Sequence, residues 1–265
     1  MLLPRYIKLF LLDCRKSIWK IVLCYAILVF GVITFSNYAN FLDDPKSIPD
    51  VFNYLFIKGS FFTLTIPLFL FFLSFVLPPM FDPLRLVRFQ DRSKLATIIL
   101  FTVFLVVILF LSSYFISGFL YGWLKSGSIE NPWATKEGKP FIMSEGEVDL
   151  SLFSTGYMIL RYTVTEFFAF LFIGLFAALL YLFLPRYIYV FIIVEGFVIF
   201  DLVLSSLFNF TLFFGKAVVN LDNWGDVSFF IGNILYFLGL VIVFIIGIYV
   251  VVSRKEFIPV FEEKE

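Results

Sequence analysis

Four ionisable side chains lie within or at the edge of long apolar runs: Arg161, Glu166, Glu195 and Asp201. Charged groups at membrane depth are expensive, so each is a candidate for handling a proton, an ion or a polar substrate group. The run around Glu195 and Asp201 cannot be re-cut to leave either out, which makes these two the candidates for a polar translocation pathway. Six residues apart on one helix, they point about 120° away from each other, and that argues against a catalytic carboxylate dyad. Internal hydrogen bonding of each carboxyl is the competing reading. For Glu166 the case differs, because Phe167 to Leu184 already gives 18 apolar residues. Glu166 therefore fits the outer headgroup region, with Arg161 more than a turn further out as its interfacial or structural partner. A pairing of Arg161 with Asp201 is also geometrically open.

A second constellation is cationic. Pro78 and Pro79 close an apolar run, Asp82 offers an N-cap, and Pro83 suits the first position of a new helix. On that helix, Arg85, Arg88 and Arg92 stand at i, i+3 and i+7 and share one face, while Leu84 and Val87 share another. Two roles fit: an anchor on anionic lipid, and a docking element for a cytosolic protein.

Composition removes much other chemistry. The 265 residues include no histidine, which excludes Ser-His-Asp triads and His-ligated zinc. Cys14 and Cys24 have no second pair beside them and read as small apolar residues. No G-x-x-x-x-G-K-[ST] loop occurs, so the chain carries no such cradle for ATP. Twenty basic residues balance twenty acidic ones, which gives no ground for a nucleic-acid partner.

The elements that must position these groups are membrane helices. Hydrophobic residues make up 61% and charged residues 15%, 40 residues are Phe, and the mean hydropathy is +0.99. Crossing roughly 30 Å of hydrocarbon takes about 20 apolar residues as helix. Six runs qualify, near 18–36, 59–78, 96–120, 157–184, 187–208 and 228–252, and their continuous rather than alternating apolarity favours helices over barrel strands. The expected class is all-α: a polytopic membrane protein with six transmembrane helices. With the N-terminus inside, 13 of the 20 Lys and Arg fall on inner segments, so both termini are expected to be cytoplasmic. Trp19, Trp123 and Trp224 fit interfacial anchors at span ends.

Residues 1–17 read as an amphipathic helix in the inner interface: Arg5, Lys8, Asp13, Arg15 and Lys16 fall in one arc, and Leu3, Ile7, Phe10 and Cys14 lie opposite. The longest aqueous piece is the outer loop, 121–156, too short and turn-rich to fold alone. Ten acids against six lysines line the outer segments, among them Asp50, Glu130 and Asp226. The chain reads as one membrane domain over 1–265.

Six spans, a basic amphipathic N-terminal helix, and Leu86-Val87-Arg88-Phe89-Gln90-Asp91-Arg92-Ser93-Lys94 between spans two and three resemble the small ABC-2-type permeases of Gram-positive bacteria. The resemblance implies that 82–95 holds a coupling helix docking a cytosolic ABC ATPase through Arg85, Arg88, Phe89, Asp91 and Arg92. It also implies that 208–227 is an outer hairpin dipping into the membrane. Further implications are a second permease, identical or related, and ATP with Mg bound by the partner chain and no cofactor bound directly. The expected role is then a non-enzymatic permease subunit of an exporter in the bacterial cell membrane, moving a hydrophobic or amphipathic peptide. A non-transporting immunity or anchoring protein is the alternative, and an intramembrane enzyme has the least support.

Overall fold

The computed structural model describes residues 3–38, 47–56, 58–81, 92–184, 186–208, 210–218, 224 and 226–255. Among the described residues the chain is helical, without strands, and six helices are long and apolar enough to cross a bilayer. In order they are Ile18–Ser36, Phe61–Phe81, Arg92–Ser126, Thr155–Tyr181, Tyr187–Phe208 and Val227–Arg254, called here the first to sixth spans. The protein is thus an all-α, polytopic membrane protein. Six crossings return the chain to its starting side, so the bundle has a face carrying Arg92, Arg186, Arg254 and Lys255, called the basic face, and an opposite loop face carrying residues 127–154.

Burial sorts the spans into two sets. The second, third and fourth have 56, 56 and 61% of their apolar windows buried, against 28, 22 and 17% for the first, fifth and sixth. The former make the interior, and the latter turn most of their surface outward. Because lipid is as apolar as leucine, close packing rather than water exclusion must hold these helices together, and small residues permit it. Gly174 on the fourth span is such a point: a Cβ there would lie 2.7 Å from Val103 Cγ1 of the third.

The second span is irregular at its start. Pro67 lacks an N–H, so the ladder loses a bond and the backbone widens into a π-helical turn over Phe61–Thr65, with Ile66 N–H bonded to Phe61 C=O. Within this turn the Thr63 hydroxyl donates to the carbonyl of Gly59.

The third span runs longer than the sequence reading of 96–120, from Arg92 to Ser126. Its loop-face end carries Gly118 and Gly122, against which the short helix Ile48–Leu55 lies. A Cβ on Gly118 would come within 2.8 Å of Leu55 Cδ1, and one on Gly122 within 3.0 Å of Ile48 Cα. Ser47 caps this short helix by accepting from Asp50 N–H, and Pro49 sits in its first turn.

The loop of residues 127–154 folds down onto the bundle. Asn131 Oδ1 accepts from Trp133 N–H and starts the 3-10 turn Pro132–Ala134, and its amide donates to Phe153 C=O. Trp133 and Phe153 are each 1% exposed. Trp224 joins them, stacked on Phe153 at 5.5 Å and edge-on to Trp133 at 6.5 Å. The expected interfacial anchoring of Trp224 is therefore corrected: it is buried and donates its indole N–H to Leu152 C=O at 2.8 Å. Trp19 and Trp123 are exposed at span ends, as interfacial anchors should be.

Residues Leu3–Lys16 form the N-terminal helix. Phe10 is buried in the core cluster while Leu11, Leu12, Arg15 and Lys16 are exposed, so one side packs inward and the opposite side stays free.

Candidate functional site

The four intramembrane charges occupy four different environments. Arg161, on the first turns of the fourth span, is 4% exposed. Its Nη1 donates to Trp224 C=O, and its guanidinium lies over the rings of Trp224 at 4.8 Å and Phe230 at 5.2 Å. A planar, weakly hydrated cation suits such a place, because aromatic faces and a carbonyl replace water around it. Arg161 thereby pins the segment before the sixth span onto the fourth.

The pairing expected between Glu166 and Arg161 is absent, and Glu166 is enclosed by protein. Its exposure is 0%, and neither carboxyl oxygen has a hydrogen-bond partner. The Ile48–Leu55 helix, the 127–154 loop and Trp224 pack on the first turns of the fourth span, at Met158 and Tyr162. One turn before Glu166 on the same face stands Tyr162, whose buried hydroxyl is also without a partner. Phe56 stacks on Tyr162 at 5.0 Å and meets Tyr114 edge-on at 5.4 Å. Tyr114 is better served, with its hydroxyl donating to Leu55 C=O and accepting from Thr65. The bundle thus contains an aromatic layer with two unsatisfied polar groups, a costly arrangement that packing alone does not explain.

Asp201 is fully buried and internally hydrogen-bonded. It accepts from Thr211 Oγ1 at 3.1 Å, Leu212 N at 2.6 Å and Phe213 N at 3.0 Å. These charge-assisted bonds fold the chain after the fifth span back toward the bundle. Phe213 consequently enters the core with 0% exposure, its ring 6.0 Å from Phe61, 5.9 Å from Phe172 and 6.0 Å from Phe237. Within the stretch 208–227, expected as an outer hairpin, the described residues fold back onto the bundle at Phe213 and continue into a short helix Phe214–Ala217.

Glu195 stands apart from Asp201, midway along the fifth span. It is half-buried, and its Oε1 is shielded without a hydrogen-bond partner. The next residue, Gly196, is exposed, and a Cβ there would meet no atom within 4 Å. Ile192, Ile193, Ile199 and Phe200 on the same span are exposed as well.

Of the residues expected to dock an ATPase, Arg85, Arg88, Phe89 and Asp91 lie outside the described residues. Arg92 is the first described residue of the third span. Its Nη1 donates to Ser253 C=O at 2.8 Å, which satisfies a carbonyl of the sixth span's last turn with a cation, as the helix dipole favours. Lys255 similarly donates to Leu182 C=O near the end of the fourth span. Among the described residues, no group of three or more Cys, Asp or Glu stands close enough to hold a metal ion.

Sequence reasoning missed Gly118 and Gly122, although their i, i+4 spacing on an apolar helix is the usual sign of close helix approach. It also counted Asp50 as an outer surface acid. Asp50 is 8% exposed and accepts from Trp133 Nε1 and Ser47 Oγ.

No protein-family model, curated protein or solved structure matches this chain. The fold itself supplies the class: a six-span helical membrane protein with buried carboxyls on its fourth and fifth spans.

Proposed function

We propose that the chain is the membrane-spanning permease subunit of an ATP-driven exporter in a bacterial cell membrane, moving a hydrophobic or amphipathic peptide. ATP with Mg is bound by a separate cytosolic ATPase, and a second permease, identical or related, completes the pathway. The observation that carries this reading is Glu195: a carboxyl without a partner for its shielded oxygen, on a span whose surface is mostly turned outward. Hydrocarbon is a poor neighbour for such a group, so a second polypeptide covering this face and forming a polar seam with it is the economical arrangement. Glu166 and Tyr162 add polar groups that the chain's own packing leaves unsatisfied. Asp201 drops out of the pathway and serves to hold the hairpin.

The ATPase docks on the basic face, where the chain leaves the second span at Phe81 and re-enters the third at Arg92 with the run Arg85, Arg88 between. The test is to purify the tagged full chain from its native membrane in mild detergent and identify what accompanies it. A stoichiometric ATPase, lost on Arg88→Glu, is the expected result, with export reduced by Glu195→Gln at unchanged expression. A preparation free of any ATPase in several detergents overturns the exporter reading and favours the non-transporting immunity or anchoring alternative.

A further inference from the structure

A cleft opens near the loop face between the Ile48–Leu55 helix, the third span and the first turns of the fourth. It holds about 90 Å³, less than the ~150 Å³ of a cavity that admits benzene, and it is open on one side. Its walls are apolar, with Phe52, Phe115, Phe119 and Ile159 prominent, and the ring of Tyr162 also lines it. Phe119 and Ile159 are themselves exposed, 45 and 60%, so the cleft is reached from outside the bundle.

The rim is polar and acidic. Glu130 lies on it, exposed, and among the described residues its carboxylate has no partner. Asn131, also on the rim, is committed to Phe153, Thr155 and Trp133. The loop beyond carries Glu130, Glu137, Glu145, Glu147 and Asp149 against Lys125, Lys136 and Lys139, and Lys139 is turned inward over the Tyr54 ring. An occupant must therefore place an apolar group in the walls and a cation within reach of Glu130. An amphipathic helix lying in a membrane interface presents its side chains in this way, apolar inward and cationic outward, at the depth where span ends meet water. A zwitterionic lipid tail satisfies the walls but gives Glu130 no net countercharge.

We propose that this cleft is a binding subsite for a cationic amphipathic peptide, one apolar side chain of which seats between Phe52, Phe115 and Phe119 while a neighbouring Lys or Arg pairs with Glu130. The proposal deepens the peptide-export reading and rests on it for the identity of the cargo. It fixes the substrate class by two properties together, an apolar residue and a neighbouring cation.

The test uses the full chain in nanodiscs of neutral phosphatidylcholine and, as probe, a fluorescent synthetic peptide of alternating Lys and Leu blocks with one Trp. Binding above that of empty discs is expected. Ile159→Trp, which fills the cleft from an exposed position, should weaken it about tenfold. Glu130→Lys should weaken it several-fold in low salt, with Glu130→Gln intermediate, and 0.5 M salt should erase the difference, as a few-ångström screening length requires. Replacing the probe's Trp by a benzophenone side chain should direct crosslinks to residues 48–52, 115–119 and 158–162. Binding equal to that of empty discs, affinity unchanged by Ile159→Trp and Glu130→Lys, or crosslinks elsewhere would each overturn the proposal. So would a lipid that co-purifies in the cleft and is not displaced by the peptide. Both substitutions fall on exposed side chains, and an unchanged thermal transition confirms intact folding. No ATPase is present in this experiment, so its failure leaves the co-purification result untouched, and a missing ATPase leaves the binding result untouched.

Discussion

The indole Nε1 of Trp133 donates to Asp50 Oδ1 at 2.9 Å, joining the 127–154 loop to the Ile48–Leu55 helix across 83 residues of sequence. The same carboxyl accepts from Ser47 Oγ at 2.6 Å. One acid therefore holds together the two pieces that roof the loop face. Asp50→Ala leaves a buried indole N–H and the Ser47 hydroxyl without their acceptor and should cost about 1–3 kcal/mol. Thermal unfolding in detergent, followed by tryptophan fluorescence, reads this directly. Asp50→Asn keeps an acceptor and should lose less, and an unchanged midpoint for the alanine variant would contradict the roof's dependence on this bond.

Gly122 lets the Ile48–Leu55 helix approach so closely that a Cβ would lie 3.0 Å from Ile48 Cα, a backbone atom that cannot swing aside. Gly122→Leu should therefore displace that helix. At Gly118 the nearest atom is the end of a side chain, Leu55 Cδ1, which can rotate. Gly118→Ala is accordingly the milder change. A cysteine placed at Phe52 should become reactive to a water-soluble maleimide in the Gly122→Leu background and stay slow in Gly118→Ala; equal rates in both would remove the distinction.

Asp201 organises backbone N–H groups of Leu212 and Phe213, so Asp201→Ala should free the hairpin and withdraw Phe213 from the core. Asp201→Asn retains an acceptor without the charge and should lie between, since bonds to a charged acceptor are worth about twice neutral ones. Hydrogen exchange at Leu212 and Phe213 checks this. Protection persisting in the alanine variant would show that packing of Phe213 alone holds the segment.

Asp226 caps the sixth span, accepting from Ser228 Oγ at 2.6 Å and Phe229 N at 2.9 Å. The Ser228 hydroxyl, then the Phe229 N–H, hold its carboxyl below the ordinary value of 3.8. A depressed folded pKa stabilises above the unfolded value and ceases to do so as pH falls through the folded one. Protection of the first turn of the sixth span, taken relative to intrinsic exchange at each pH, should thus be full at pH 5 and fall below 3.8, and Asp226→Asn should flatten that dependence.

The spans were legible because continuous apolarity over twenty residues has few outcomes in a bilayer, and each observed span overlaps its expected range. Burial was less legible, and Glu166 shows why. Counting apolar residues from Phe167 onward measures depth in the membrane, which is one route out of water. Glu166 leaves water by another route, enclosed by the packing of the chain itself. Trp224 went astray for the same reason, since its sequence neighbours are polar and its spatial neighbours are Phe153, Tyr162 and Trp133. Asp201 was legible as buried, but its partners ten to twelve residues on depend on a chain reversal that no periodicity announces. Arg92 reads onto the helix of 82–95 because the apolar run begins later; its bond to Ser253 is a contact across 161 residues.

The third span extends 35 residues, about 52 Å at 1.5 Å per residue, well beyond the roughly 30 Å hydrocarbon layer. At one end the Gly118 and Gly122 notch seats the roof, and at the other Arg92 grips the last turn of the sixth span. Such a rod works as a lever whose two arms emerge on opposite sides of the bilayer. A tilt of about 5° would carry one tip some 4–5 Å relative to the other at that length. A push delivered beside Arg92 would be felt at the cleft without any part of the interior having to melt.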